Sequence, residues 1–534
     1  MLARAGSQQT LTALREQTMT ADATQRSNAE PEVRTTAGTV RGRWEGRLAA
    51  FLGIPYAAPP VGAARFAAPQ PVSPWDGVRD AVAFGPPAPQ DFAGFRNLSL
   101  GEGTPPQSTG DDWLTLNVWT PAPDRSARLP VMVWIHGGAY KTGSGADLLA
   151  NARIAQEGNL VLVSLNYRLG IEGFAAIEGA PPNRGLLDQI AALEWVRDTI
   201  AAFGGDPDQV TIFGVSAGGS SVGTLMAMPA AAGLFRRVIA QSFGGPFLSP
   251  ELATDITTAI AGQRGRRPTV ADLSTLDPHD LALAGEETAA TQGRYLDRWG
   301  PMAAHLTFFV PNVDGDVLPA TPYQALAADV GRDVELIAGH NRDEYRLFLF
   351  ASGKLGAIDD QEAARVLDVF GPGTDAEKTY RAAFPDATAE QLWEWVQSDW
   401  LFRMPTLRLA QAHASGGGRT RFYELTWPAP GADGLLGACH ALDQPLVFGD
   451  FESEFARRLF GGPTPSVETV ELSARMRAAW ISFATTGDPG WPAFDTDDRL
   501  TQVFDARPTV TAYPEESSRQ LWERDDLAPL PLLP

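Results

Sequence analysis

The run Gly214-Val-Ser-Ala-Gly218 constrains the fold of this chain more than any other stretch, because of what flanks it. Before it, Val210-Thr-Ile-Phe213 reads as a buried strand; after it, Ala217–Met228 reads as a helix. A serine held at the tip of a strand-to-helix turn needs glycine two residues before and two after, since side chains there would collide inside the turn. The helix behind points its first N–H groups toward the serine oxygen. The five-residue pattern alone recurs by chance as a glycine-rich turn with a bystander serine. Strand and helix on either side make Ser216 the candidate nucleophile.

Further apolar runs supply the rest of a sheet: Leu129–Ile135, Leu160–Leu165, Val334–Ala338 and Arg421–Thr426. Runs that are apolar on both alternating faces suit a parallel sheet covered on both sides. In Leu187–Phe203, Ile190, Leu193, Val196, Ile200 and Phe203 recur at helical spacing, and Gly204-Gly205 supplies the stop. Strand, helix, strand in that order implies right-handed crossovers. The expected class is α/β: a mostly parallel central sheet with helices on both faces and a helical cap region over about 250–410, interrupted by the strand at 334–338. Residues 1–30 are polar and aperiodic and read as a flexible extension. No linker divides the rest of the chain, so 31–534 is expected as a single catalytic domain.

A serine nucleophile needs a base, an orienting carboxylate and donors for the oxyanion. His136-Gly-Gly-Ala-Tyr140 directly follows the strand ending at Ile135, and a glycine-rich loop there brings backbone N–H groups close. Of the six histidines, His136 lies in that loop. His279 reads as an exposed turn, His305 as core and His413 as a cation at a helix end; His340 precedes the best acid. His440 follows the strand Arg421–Thr426 by a loop and is the candidate base. The acid is Asp343 or Glu344, just past the strand Val334–Ala338, on the side where α/β active sites form. Adjacent residues point in different directions, so one faces His440 and the other is a surface or capping group.

The formal net charge of −21 repels phosphate backbones and anionic lipid, and no Lys/Arg cluster opposes it locally, so neither nucleic acid nor membrane is an expected partner. No run approaches the ~18 apolar residues of a membrane span. With one cysteine, Cys439, an intramolecular disulfide is impossible, which favours a reducing compartment. The N-terminus lacks an apolar signal core. A cytoplasmic enzyme is expected, with Met1 or Met19 as its start and its oligomeric state open.

Taken together, the motifs resemble the type-B carboxylesterase family, which includes cholinesterases, para-nitrobenzyl esterases and bacterial carboxylesterases. The resemblance runs from about 33 to 510, through Gly53–Gly62, Leu114–Trp119, Asn166–Gly170, Gly185–Gln189, Phe203–Pro207, Phe213–Gly219, Gln241-Ser242, Val313–Gly315, Arg342–Glu344, His440 and Thr486–Pro489. It implies a triad of Ser216, Glu344 and His440, choosing Glu344 over Asp343. It implies oxyanion donors at Gly138, Ala139 and Ala217, and a supporting Ser242 close to the histidine. Val215 stands where many members carry glutamate, Ala139 where others have a third glycine, and Ala88 and Trp113 where secreted relatives join two cysteines.

The expected reaction is hydrolysis of small-molecule esters through an acyl-enzyme, with no metal or organic cofactor needed. Amide or carbamate hydrolysis by the same triad is the alternative, and an adhesion-type homologue without catalysis is a remote one. With Val215 in place of a carboxylate, neutral esters are expected to be preferred over choline-type esters. An aromatic wall containing Phe92 or Phe95 would argue the other way, through cation–π binding.

Overall fold

A computed structural model describes residues 29–91, 110–147, 152–525 and 527–534. Its strands run in chain order as β1 (Glu32–Arg34), β2 (Thr39–Arg41), β3 (Arg43–Glu45), β4 (Leu48–Pro55), β5 (Val78–Asp80), β6 (Thr115–Thr120) and β7 (Leu129–Ile135). They continue as β8 (Val161–Leu165), β9 (Gly205–Val215), β10 (Arg237–Gln241), β11 (Glu335–Asn341), β12 (Thr420–Leu425), β13 (Thr501–Phe504) and β14 (Thr509–Thr511). Strands β1, β2 and β5 form a small separate sheet. The main sheet has the order β14-β13-β12-β11-β10-β9-β7-β8-β6-β4-β3. From β8 across to β13 every pairing is parallel. Only the flanks, β3-β4-β6-β8 and β13-β14, pair antiparallel. The α/β class and the mostly parallel centre are as the apolar runs imply.

Alternation within these strands builds two cores. Val131, Val133 and Ile135 of β7 join one apolar cluster, while Met132 and Trp134 between them join another. Successive side chains leave a strand on opposite faces, so a strand buried on both must be apolar throughout. Strands β8, β10 and β11 are buried along their whole length for the same reason. The helices Arg184–Thr199 and Val467–Thr486 cover opposite faces, with Leu193 and Val196 in the first cluster and Met476 and Trp480 in the second.

The structure departs from expectation in its details. The strand read as Val210–Phe213 begins at Gly205, and the one read as Val334–Ala338 runs to Asn341. The helix after Ser216 stops at Leu225. The helix read from Leu187 starts at Arg184, and its last four residues, Ile200–Phe203, tighten into a 3-10 turn ended by Gly204 at φ 86°. Strand β10 was not visible in the apolar pattern, because Arg237 and Gln241 frame only three apolar residues. Its arginine is tolerated in the sheet because Glu335, its neighbour in register on β11, pairs with it at 2.5 Å. His413 is no helix-end cation: it is buried, its Nδ1 meets Thr420 Oγ1 at 2.8 Å, and burial lowers its pKa to about 4. Of the N-terminal extension, residues 1–28 lie outside the described residues. No helix among the described residues is long and apolar enough to cross a membrane.

Candidate active site

Register brings the site together. Val215, Gln241 and Gly339 are level across β9, β10 and β11, so the residues just after them emerge side by side at the carboxyl edge of the sheet. The ladder even continues one step further: Ser216 N–H donates to Gln241 O at 3.0 Å and Ser242 N–H to Gly339 O at 2.8 Å.

Ser216 sits at φ 61°, ψ −125°, a conformation that costs a non-glycine residue about 1–3 kcal/mol. The turn is as tight as the glycine pattern demands. A Cβ on Gly218 would lie 2.0 Å from Ile135 O, and one on Gly214 would lie 2.5 Å from the same oxygen. Ser220, one turn into the following helix, bonds the Ser216 carbonyl through its N–H at 2.7 Å and its hydroxyl at 3.0 Å. Ala217 is the first residue of that helix, so its N–H has no intrahelical acceptor.

The loop after β7 packs directly on this turn. A Cβ on Gly137 would lie 2.7 Å from Val215 O and 3.3 Å from Ser216 Cβ, so glycine permits the close approach. Gly138 is at φ 103°, and Ala139 and Tyr140 follow at φ 57° and 55°. Two successive non-glycine residues in the left-handed region cost about 1–2 kcal/mol each. Thr142 N–H and Lys141 N–H both close on Gly138 O at 3.0 Å. Tyr167 stacks on His136 with centroids 4.4 Å apart and donates its hydroxyl to His136 O at 2.8 Å.

Glu344 is completely buried. Its Oε2 meets His440 Nδ1 at 2.5 Å, and its Oε1 accepts from Ser242 Oγ at 2.6 Å and from Asn341 N–H at 2.8 Å. Three partners on two oxygens leave the carboxylate one orientation. Asp343 turns away, bonds Arg342 and caps the N–H of Ala438 at 2.8 Å. It thereby fastens the loop that delivers His440. The imidazole lies under two rings, Phe402 at 4.2 Å and Phe348 at 5.3 Å between centroids.

Burial lowers the imidazoles of His136, His305 and His340 to about pKa 4, so they are neutral at physiological pH. His279 is exposed at the start of the helix Pro278–Ala289. Ser216, His440, Gly138, Ala139 and Ala217 line one cavity of about 510 Å³. That volume is of drug-ligand size. Val215 is in its wall, as are Phe348 and Phe402. Phe92 and Phe95 lie outside the described residues. Sequence reasoning missed Asn341, Phe348, Phe402, Ser220 and Tyr140, because which of these residues meets the site is set by the packing of distant elements and leaves no local pattern.

Comparison with known proteins places the chain in a family. The Carboxylesterase family profile matches residues 29–522. Para-nitrobenzyl esterase of Bacillus subtilis is 37% identical over 91% of this chain and 97% of its own length. Phenmedipham hydrolase of Pseudarthrobacter oxydans is 36% identical over 89% and 94%. A solved thermophilic PNB esterase superposes with a TM-score of 0.80 at 34% identity, covering 92% of this chain and all of that one. A Geobacillus stearothermophilus carboxylesterase does so at 0.78 and 34%, covering 92% and 99%. With an α/β-hydrolase fold and relatives of this extent, the chain belongs to the carboxylesterase family and is a carboxylic ester hydrolase.

Proposed function

We propose that Ser216, His440 and Glu344 carry out the hydrolysis through an acyl-enzyme. The reading rests on one observation: an imidazole held at 2.5 Å by a buried carboxylate, in the cavity that also holds the strained serine. His440 Nδ1–H donates to Glu344, which leaves Nε2 as the base. As Ser216 Oγ attacks the ester carbonyl, His440 takes its proton, and Glu344 stabilises the imidazolium. The N–H groups of Gly138, Ala139 and Ala217 receive the developing oxyanion. The alcohol leaves with the proton from His440, and water releases the acid by the same steps. Ser242 fixes the carboxylate and takes no proton. Esters precede amides in this reading because an alcohol leaves more readily than an amine, and they precede carbamates because nitrogen donation into the carbonyl slows both attack and release of the carbamoyl-enzyme. An organophosphate is expected to label Ser216 stoichiometrically, as read by peptide mapping; an adduct on Ser220 or Ser242 instead overturns the assignment.

Substrate charge is set by the wall. Val215 adjoins the nucleophile, is buried and packs with the apolar cluster of Trp134 and Phe448, so it offers no carboxylate to a cationic alcohol. We therefore propose neutral small-molecule esters as substrates. Asp450, Glu452 and Glu454 also line the cavity, and their longer-range attraction for cations is screened by salt, whereas Val215 acts at contact. kcat/KM for the 3,3-dimethylbutyl ester is expected to exceed that for the matching choline ester, the more so at high salt. A clear choline preference at both low and high salt contradicts the role of Val215. A cytoplasmic location is proposed from the lone Cys439, which is buried and free; activity recovered outside the cytoplasmic fraction contradicts it.

A further inference from the structure

The two left-handed residues of the oxyanion loop must be held in place by something. Tyr140 and Lys141, the residues immediately after Ala139, are both buried, and each is tied to a different body. Tyr140 is tied to the short helix Gly170–Phe174 and, through its hydroxyl, to the nucleophile's helix. Its carbonyl accepts from Gly170 N–H at 2.7 Å, its ring lies 4.3 Å from that of Phe174, and its hydroxyl accepts from Ser221 Oγ at 3.4 Å. Ser221 belongs to the helix that begins behind Ser216, and it is steadied in turn by Gln189 Nε2 at 3.1 Å. Lys141 reaches the cap instead: its Nζ is 2.6 Å from Glu286 Oε1, on the helix Pro278–Ala289. The lysine side chain is 7% exposed and the glutamate 18%, so water screens the pair little.

We propose that Tyr140, Lys141 and Glu286 form a clasp that positions the oxyanion donors. This rests on the reading of Gly138 and Ala139 N–H as those donors. The loop is strained on its own, and an extended alternative at 139 and 140 would swing both N–H groups away from Ser216. The tyrosine fixes the turn to the helix Gly170–Phe174 and to the helix of the nucleophile, and the ion pair fixes it to the cap. These are positioning residues, since none of the three reaches the reacting atoms with its functional group. The strain sits where the clasp acts, and the cap helix thereby enters the catalytic geometry without touching substrate. Since the donors engage the tetrahedral state more strongly than the ester, loosening them acts on kcat and leaves substrate binding.

The test uses Lys141→Met, Glu286→Gln and Tyr140→Phe in the full chain, with active sites counted by organophosphate titration. Lys141→Met and Glu286→Gln are each expected to lower kcat per titrated site by roughly 10- to 100-fold. KM is expected to hold within about twofold, and affinity for a trifluoromethyl ketone to fall in parallel with kcat. The double variant is expected to be no worse than either single one, because both break one interaction. Tyr140→Phe keeps the ring and is expected to move in the same direction. Adding Ala139→Gly to Lys141→Met is expected to recover part of the rate, since glycine occupies the left-handed region without strain. Damage to folding alone would lower the titrated site count and show no such rescue. Unchanged kcat per site in both ion-pair variants, with trifluoromethyl ketone binding intact, overturns the clasp and leaves the oxyanion reading standing. If the wild-type enzyme binds the trifluoromethyl ketone no tighter than the plain methyl ketone, the oxyanion reading itself fails, and the clasp with it.

Discussion

Ser216→Ala is expected to lower kcat by roughly a million-fold while leaving the protein folded. The hydroxyl is the attacking atom in the proposed sequence, and no other group substitutes for it: Ser220 is committed to the Ser216 carbonyl and to Gly244 O, and Ser242 to Glu344. The fold does not depend on Ser216 Oγ, since its backbone carries the contacts, N–H to Gln241 and carbonyl to Ser220. Alanine meets the same left-handed strain as serine, so the thermal midpoint is expected to stay where it is. What survives is the residual rate from binding and the proposed oxyanion donors, which the substitution leaves untouched. The measurement is ester turnover by purified, folded protein, beside a melting curve. Turnover within tenfold of wild type would remove Ser216 from the mechanism.

Glu344→Gln is expected to cost about 10³- to 10⁴-fold in kcat. An amide in place of Oε2 offers the imidazole either a donor, which selects the wrong tautomer, or an uncharged acceptor, which stabilises the imidazolium less. Asp343→Asn is the informative partner, because the two carboxylates are adjacent in sequence but differ in every contact. Asp343 bonds Arg342 and the N–H of Ala438, and its backbone N–H reaches Ala438 O at 2.9 Å. Its neutralisation is therefore expected to appear chiefly in stability, about 1–2 kcal/mol in a denaturant midpoint, with kcat much closer to wild type. Equal kcat losses in the two folded variants would leave Glu344 without a special role.

How far each part was legible depends on how local its cause is. The nucleophile turn was readable because Gly214 and Gly218 crowd each other within five residues: a Cβ on Gly214 would lie 2.6 Å from Gly218 C. The buried parallel strands were readable because a strand covered on both faces must be apolar throughout. From the residues alone the candidate base was readable by elimination, with the family resemblance pointing to the same His440; His413 shows the weakness of elimination, since its burial and its bond to Thr420 come from packing of the helix Met404–Ser415 on the sheet. Adjacent Asp343 and Glu344 were indistinguishable by pattern; the family resemblance chose Glu344, and the fold turns that side chain inward.

The sequence by itself determined the α/β class, from runs apolar on both faces, and the tight turn at Ser216 and the glycine loop after β7, from crowding between near neighbours such as Gly214 with Gly218 and Gly138 with Thr142. Only the tertiary structure decided which rings cover His440 and what holds Ala139 and Tyr140 in a strained turn. Those contacts join residues far apart in the chain, as Lys141 and Glu286 are, and they exist only once the register of β9, β10 and β11 has set the strand ends level. A short-range steric rule leaves its mark in a few consecutive letters. A contact made by the meeting of distant elements depends on where the whole sheet places them, and no local pattern encodes that.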